Sequence, residues 1–314
     1  MNVDADLETI AKAKMLLAQV GTSSAQGGGG TARAQQAMKL LSALIDRQRL
    51  AEVKSSQLPE ALLRRGDAYV MLGDEFEALY DYEEVIKGYP GSDQFVLALE
   101  REMEIAIRYL NGLRKKGMFG LRFEDAVPIG EELLIRVQER LPGSQLAERA
   151  GIELSDYYYR IRDLKMASES YDVFNRNYPR SEYRQKALLR RIYANIAQFK
   201  GPEYDSSSLI EAQQLIKRFV RLYPADAEQS GIGDALSARL DESAGAQMLE
   251  VGRWYISRGN DVSARLTLRR LLRRHPDTVA AQSAIRVFDE KGWDKPAEAT
   301  APVRANAADV EVPK

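Results

Sequence analysis

Apolar residues recur every three or four positions in runs of a dozen or more, the period of helices that bury one face. A short element punctuates these runs: a large residue, Pro, one residue, then Ser, Asp or Thr. It reads Tyr89-Pro90-Gly91-Ser92, Leu141-Pro142-Gly143-Ser144, Tyr178-Pro179-Arg180-Ser181, Tyr223-Pro224-Ala225-Asp226 and His275-Pro276-Asp277-Thr278. Proline lacks an N–H and stops the helix before it. The Ser, Asp or Thr two residues later is placed to cap the next helix. Each element therefore predicts a helix-to-helix junction, and the prolines lie 52, 37, 45 and 52 residues apart.

Counted back from proline, three copies share one register without a gap. The first carries Leu62, Gly66, Tyr69, Gly73, Ala78, Tyr82 and Val85 before Pro90. The second carries Leu154, Ser155, Tyr158, Ala167, Tyr171 and Phe174 before Pro179, and the third Met248, Val251, Gly252, Tyr255, Gly259, Ala264, Leu268 and Leu271 before Pro276. Small residues at fixed offsets let two helices cross closely and large ones fill the space beside them, the pattern of the tetratricopeptide repeat, whose period is about 34 residues. The longer spacings require insertions, which fall on Gly112 to Arg122 and on the turn formers Gly201 to Ser208. An N-terminal pair, Ala5 to Val20 and Thr31 to Leu50 around a Gly-rich loop, and a last helix over Val279 to Glu290 complete the prediction. The expected fold is an all-α tetratricopeptide-repeat superhelix, a solenoid of about five to six helix pairs with inserted loops. Residues 1–57 form its N-terminal pair, residues 58–293 the repeats, and residues 294–314, rich in Ala, Pro and charge, a disordered tail.

Composition removes much of chemistry. The 314 residues contain no cysteine and one histidine, so thiolate nucleophiles, Cys-ligated metals and His-rich metal sites are excluded. Lys and Arg number 45 against 46 Asp and Glu, a balance that offers no global attraction to nucleic acid or to an acidic membrane surface. Gly27-Gly28-Gly29-Gly30-Thr31 opens a helix but lacks the Lys-Ser or Lys-Thr continuation of a phosphate loop. His275 stands where other copies carry Tyr or Leu, which predicts junction packing. No nucleophile–base pair and no metal set is found, so the chain reads as a non-enzyme without cofactors. No run approaches the ~20 apolar residues of a membrane span, and the N-terminus has no leader pattern. Absence of cysteine fits an oxidising compartment.

What remains is binding. Tyr158 shares the packing position of Tyr69 and Tyr255 and is expected in the core. Residues one or two positions away point into the concave groove of such repeats. The groove candidates are Asp67, Val70 and Met71, then Asp156, Tyr159 and Arg160, then Arg253 and Ile256. This mixed lining suits an extended peptide or a partner helix. The insertion is basic and apolar together, with Lys115, Lys116, Met118 and Phe119 as a candidate docking loop. The alternative is that Phe119, Leu121 and Phe123 tuck under the neighbouring repeat. Four arginines, Arg269, Arg270, Arg273 and Arg274, complement a helix C-terminus and are also available to a partner.

Helical pairs closed by Tyr178-Pro179-Arg180-Ser181, with a long inserted repeat from Tyr193 through Phe199-Lys200-Gly201-Pro202-Glu203-Tyr204-Asp205 to Ala212, Phe219 and Tyr223-Pro224, resemble the BamD-like lipoproteins of outer-membrane β-barrel assembly. The resemblance covers roughly Leu58 to Val287. It implies a non-catalytic scaffold, anchored by a lipidated N-terminal Cys, that holds the barrel-assembly protein with its C-terminal repeats and meets unfolded barrel precursors with its N-terminal ones. This chain departs from the family in lacking the lipid-accepting Cys. The expected location is the periplasmic face of the outer membrane if a lipidated leader was removed, and otherwise the cytoplasm. Two other functions compete. One is a periplasmic repeat adaptor coordinating cell-wall synthesis or division, against which the missing heptads count. The other is a cytosolic peptide-binding co-chaperone, whose carboxylate-clamping Lys and Arg offsets hold Asp67 and Asp156 here.

Overall fold

The structure is a computed structural model that describes residues 3–22, 29–51, 55–117, 120–201, 204 and 207–294. Met118, Phe119, residues 23–28 of the Gly-rich loop and residues 295–314 of the expected tail lie outside them. The chain divides into two compact units, Met1–Leu154 and Ser155–Lys314.

Unit 1 runs through α1 (Val3–Thr22), α2 (Gly29–Leu50), α3 (Leu58–Met71), α4 (Glu75–Gly88) and α5 (Gln94–Leu110). Two short strands follow, β1 (Lys115–Lys116) and β2 (Arg122–Glu124), then α6 (Val127–Arg140) and the start of α7 (Gln145–Arg160). Unit 2 takes the end of α7 and continues with α8 (Leu164–Asn177), α9 (Arg184–Gln198), α10 (Ser207–Leu222) and the short α11 (Pro224–Gln229). It closes with α12 (Asp234–Ser257), α13 (Asp261–Arg274) and α14 (Val279–Glu290). The fold is all-α and of the tetratricopeptide-repeat type. From α1 to α6 in unit 1, each helix packs on the next. In unit 2, α8, α9, α10, α12, α13 and α14 do the same.

The five proline junctions have one geometry. Tyr89, Leu141, Tyr178, Tyr223 and His275 each end a helix with φ between −137° and −123° and ψ between 52° and 65°. Each still donates its N–H to the carbonyl four residues back, as Tyr89 does to Val85. The proline after each disfavours helical backbone in the residue it follows. The expected capping is seen at two junctions. Ser144 Oγ accepts from Ala147 N at 3.1 Å and Thr278 Oγ1 from Ala281 N at 3.1 Å. Ser92 turns its hydroxyl back to Tyr89 O at 2.8 Å, and Ser181 accepts from Tyr183 N, the residue before α9, at 2.9 Å. Asp226 lies within α11, a helix that the sequence reading did not anticipate; Pro224 begins it, at a position where a missing N–H costs nothing.

Inside each of the three ungapped copies, the turn between helices needs a left-handed residue: Gly73 (φ 74°), Arg162 (φ 64°) and Gly259 (φ 68°). The N–H three positions after α3, α7 and α12, that of Asp74, Asp163 and Asn260, returns to Tyr69, Tyr158 and Tyr255 O, at 2.8, 3.1 and 2.9 Å, which satisfies the helix-end carbonyls. These three tyrosines are half-buried, not core; on α7 the buried ring belongs to Tyr157. Close helix crossing explains the glycines two turns earlier. A Cβ on Gly66 would sit 2.4 Å from Tyr82 Cε1, and one on Gly252 2.5 Å from Leu268 Cδ2. In the middle copy the position is Ser155, buried, its hydroxyl 2.7 Å from Ser170 Oγ.

The Gly112 to Arg122 insertion becomes an antiparallel hairpin, with Lys115 opposite Glu124 and Lys116 opposite Arg122. It clamps the α3–α4 turn. Lys116 Nζ reaches Asp74 at 2.6 Å and Leu72 O at 3.1 Å. Arg122 reaches Gly73 O and Glu75, each at 2.7 Å, and Lys115 lies 3.5 Å over the Phe76 ring. Leu121 and Phe123 are exposed and do not tuck under a repeat.

Candidate functional site

Two grooves, one in each unit, are lined by part of the sequence-selected set: Asp67, Val70 and Met71 in the first, and Tyr159 in the second. The groove of unit 1, about 530 Å³, is lined by one face of α1, α3 and α5. Leu17, Val70, Met71 and Ile105 make it apolar, while Lys14, Arg64, Arg101 and Arg108 bring cations to it. Its ordering element is Asp67. That carboxylate accepts from Tyr82 OH, Arg64 Nη1 and Arg101 Nε, each at 3.0 Å. The three donors come from α4, α3 and α5, so one anion ties three helices together. Beside it Glu60 accepts from Arg64 at 2.9 Å and from Lys14 and Gln94 at 3.0 Å. Burial works to raise the Glu60 pKa, yet these donors outweigh it and hold the carboxyl below its ordinary value.

The groove of unit 2, about 580 Å³, repeats the plan. Tyr159, Lys186, Leu189, Arg190 and Tyr193 line it. Asp156 accepts from Tyr171 OH and Lys186 Nζ, each at 2.5 Å, and from Arg190. The Arg190 guanidinium lies 5.5 Å from the Tyr159 ring centroid, a cation–π contact. In both networks the Tyr pKa is raised, by burial first and by the facing Asp second for Tyr82, and by burial and the hydrogen bond to Asp156 for Tyr171. Each hydroxyl is thus fixed as a donor.

The two networks are one design. Asp67, Tyr82 and Arg101 are separated by the same intervals as Asp156, Tyr171 and Arg190: 15 residues from Asp to Tyr and 34 from Asp to Arg. The last interval is one repeat period. In the third copy these positions are Arg253, Leu268 and Val287. Arg253 is exposed and pairs with Glu250 on its own helix at 2.8 Å, and Ile256 packs half-buried on the α12–α14 core. Neither lines the two grooves. Arg160 is exposed and stacks 5.7 Å from the Tyr157 ring, outside the lining of the second groove. Lys115 and Lys116 are engaged by Glu124, Asp74 and Phe76 within the hairpin. The sequence reading missed Arg101, Lys186 and Arg190 as groove residues. The signal was present as an Asp, Tyr and Arg at equal offsets in two copies.

Two further clusters bear on stability. His275 is 6% exposed, and its Nδ1 lies 2.7 Å from Asp241 Oδ1, so it packs the junction and also pairs α13 with α12. On α4, α5 and α6, Arg140 grips Glu83 through two bonds of 2.7 Å and reaches Glu102 at 3.4 Å. Glu102 is 1% exposed; burial and the neighbouring Glu83 charge push its carboxyl up to about 8. Burial acts in the same sense on Glu83, but Arg140 and Lys87 overcome it and bring that group down to about 2. A cavity of about 220 Å³ opens beside the pair, walled by Phe76, Tyr80, Ile129 and Leu133.

Stacked helical hairpins with grooves lined by first helices define a tetratricopeptide-repeat interaction protein. The pattern of that repeat matches residues 60–92, which span α3, α4 and the first junction. The pattern of the outer membrane lipoprotein family named YfiO matches residues 123–299, more than half of the chain, and the chain belongs to that family. Among solved structures, the C-terminal part of a TPR repeat-containing protein from Cytophaga hutchinsonii is 15% identical, over 90% of this chain and 95% of that one, with a TM-score of 0.36. No curated protein sequence matches. Family and repeat together make this a protein-interaction scaffold of a kind that is typically non-catalytic.

Proposed function

We propose that this chain is the scaffold of a β-barrel assembly machine at the periplasmic face of an outer membrane. Its unit 1 groove takes extended segments of unfolded barrel precursors, and its C-terminal repeats hold the barrel-assembly protein. The observation that carries the reading is the Asp67 network beneath an apolar groove in a member of an outer membrane lipoprotein family. Lys14, Arg64, Arg101 and Arg108 stand beside Val70 and Met71, each paired with a carboxylate of the chain, so the groove offers apolar surface flanked by ion pairs. That arrangement suits an extended chain that presents large apolar side chains with polar groups between them. The co-chaperone alternative has less support, because an Asp stands where its carboxylate clamp would need a cation in both copies. The test is fluorescence anisotropy of the whole chain with a labelled, extended, aromatic-rich peptide ending in a free carboxylate. Val70→Glu with Met71→Glu is expected to weaken binding at least tenfold at unchanged helicity. Equal affinity in the variant would remove this groove from the site.

A further inference from the structure

The most heavily cationic helix is absorbed by neither groove. On α13, Ala264, Leu268, Leu271 and Leu272 are buried. At 100° per residue the opposite face carries Val262, Leu266, Arg269 and Arg273 within an arc of about 60°, with Arg270 beside it. Val262 is 72% and Leu266 62% exposed, and the three arginines are exposed as well. None of the three has a carboxylate partner among the described residues; Arg269 donates only to the backbone carbonyl of Asp294, at 3.2 Å. Three acids of neighbouring α12 are engaged elsewhere. Asp241 holds His275, Glu250 holds Arg253, and Glu242 accepts from Val279 and Ala280 N at the start of α14. Asp261 opens α13 about 100° around the axis from Val262.

We propose that the exposed face of α13 is a docking surface for anionic phospholipid. The helix carries apolar residues on both sides, packed inward on one and unpartnered on the other, and every charge on the unpartnered side is a guanidinium. Guanidinium groups stay charged at any working pH and pair with phosphate through two parallel bonds. Branched apolar side chains beside them enter the headgroup boundary. None of the three cavities described above is lined by these residues, and a row of guanidinium groups along one helix face suits an array of phosphates. Membership of an outer membrane lipoprotein family puts such a surface within reach. The near-zero net charge of the chain hides this local excess. The inference stands apart from any barrel-assembly role, since it concerns the chain and lipid alone.

The experiment is co-sedimentation of the whole, unlipidated chain with vesicles of phosphatidylcholine alone and of an equimolar mixture with phosphatidylglycerol. Binding to the mixed vesicles only is expected, with a weakening of roughly fivefold for each of Arg269→Gln, Arg270→Gln and Arg273→Gln and a further loss with Leu266→Ser. High salt is expected to release the protein. All four side chains are exposed, so circular dichroism should be unchanged. No binding to the mixed vesicles would overturn the proposal, as would undiminished binding by the triple variant. Displacement from vesicles by polyglutamate at equal charge concentration would overturn it in favour of an acidic protein partner.

Discussion

Asp156→Ala removes the common acceptor of Tyr171, Lys186 and Arg190. The carboxylate side chain is 16% exposed, and each hydrogen bond to a charged group contributes about 1.5–3 kcal/mol when buried. Lys186 and Arg190 can turn to solvent once released, because their side chains are 42% and 35% exposed, and most of their share is recovered as hydration. Tyr171 cannot, because its ring is fully buried between the helices. The net cost is therefore about 2–3 kcal/mol, most of it from the stranded phenol and the lost tie between α7 and α9. Urea denaturation followed by circular dichroism reads it as a fall in midpoint at constant slope. Tyr171→Phe in the same background should add little, since its partner is already gone, giving a coupling of about 1 kcal/mol in a double-mutant cycle. Arg253→Ala, at the equivalent position of the copy without the network, should change stability by less than about 0.5 kcal/mol. An Asp156→Ala cost no larger than that of Arg253→Ala would refute the claim that this network fastens the helices.

Gly66→Ala places a Cβ 2.4 Å from a tyrosine ring pinned by its bond to Asp67, so thermal melting should show a loss of about 1–3 kcal/mol despite the better helix propensity of Ala. Arg162→Gly removes a left-handed non-glycine residue and is expected to raise stability by about 1 kcal/mol, read in the same melts. Glu102 is raised in the folded state from its ordinary 4.5 to about 8, so the folded chain holds a proton that the unfolded chain has lost. Its contribution is present below pH 4.5 and is lost as pH rises through 8, at a slope of up to about 1.4 kcal/mol per pH unit. Glu102→Gln should flatten that part of a stability–pH curve. Glu83, lowered to about 2, has the opposite sense: its contribution is present above 4.5 and is lost as pH falls toward 2. That loss should shrink in Arg140→Ala, with Lys87 left as the partner of Glu83.

The helical pairs were legible because a repeat writes the same steric demand several times. A small residue five positions before a helix end, a large one in the facing helix and a proline after it can be checked against one another in three copies. The left-handed turn at Arg162 escaped for the converse reason: glycine marks that position in the other two copies, and an arginine there gives no local signal. The hairpin at β1 and β2 escaped because its strands are two and three residues long and are fixed by partners more than forty residues away, Leu72, Gly73 and Glu75. Offset alone selects Asp67 and Asp156, of which Asp67 lines the first groove and Asp156 holds the Lys186 and Arg190 of the second. Their role as shared acceptors depends on Tyr82 and Tyr171, which hydrophobic pattern reads only as core. Residues Arg253 and Ile256 share the offset without the network, which shows that repeat register locates a face and leaves its chemistry to the individual residues.

The central claim is that the unit 1 groove captures unfolded barrel chains. It is tested most directly by placing a photo-crosslinking amino acid at Met71, which is exposed in that groove, in cells of the native host, and identifying the captured chains by mass spectrometry. The account predicts outer-membrane barrel precursors at Met71, diminished by Val70→Glu in the groove lining, and none from the same amino acid at Leu266. Capture of cytosolic proteins alone, or equal capture of precursors at Met71 and Leu266, would contradict it.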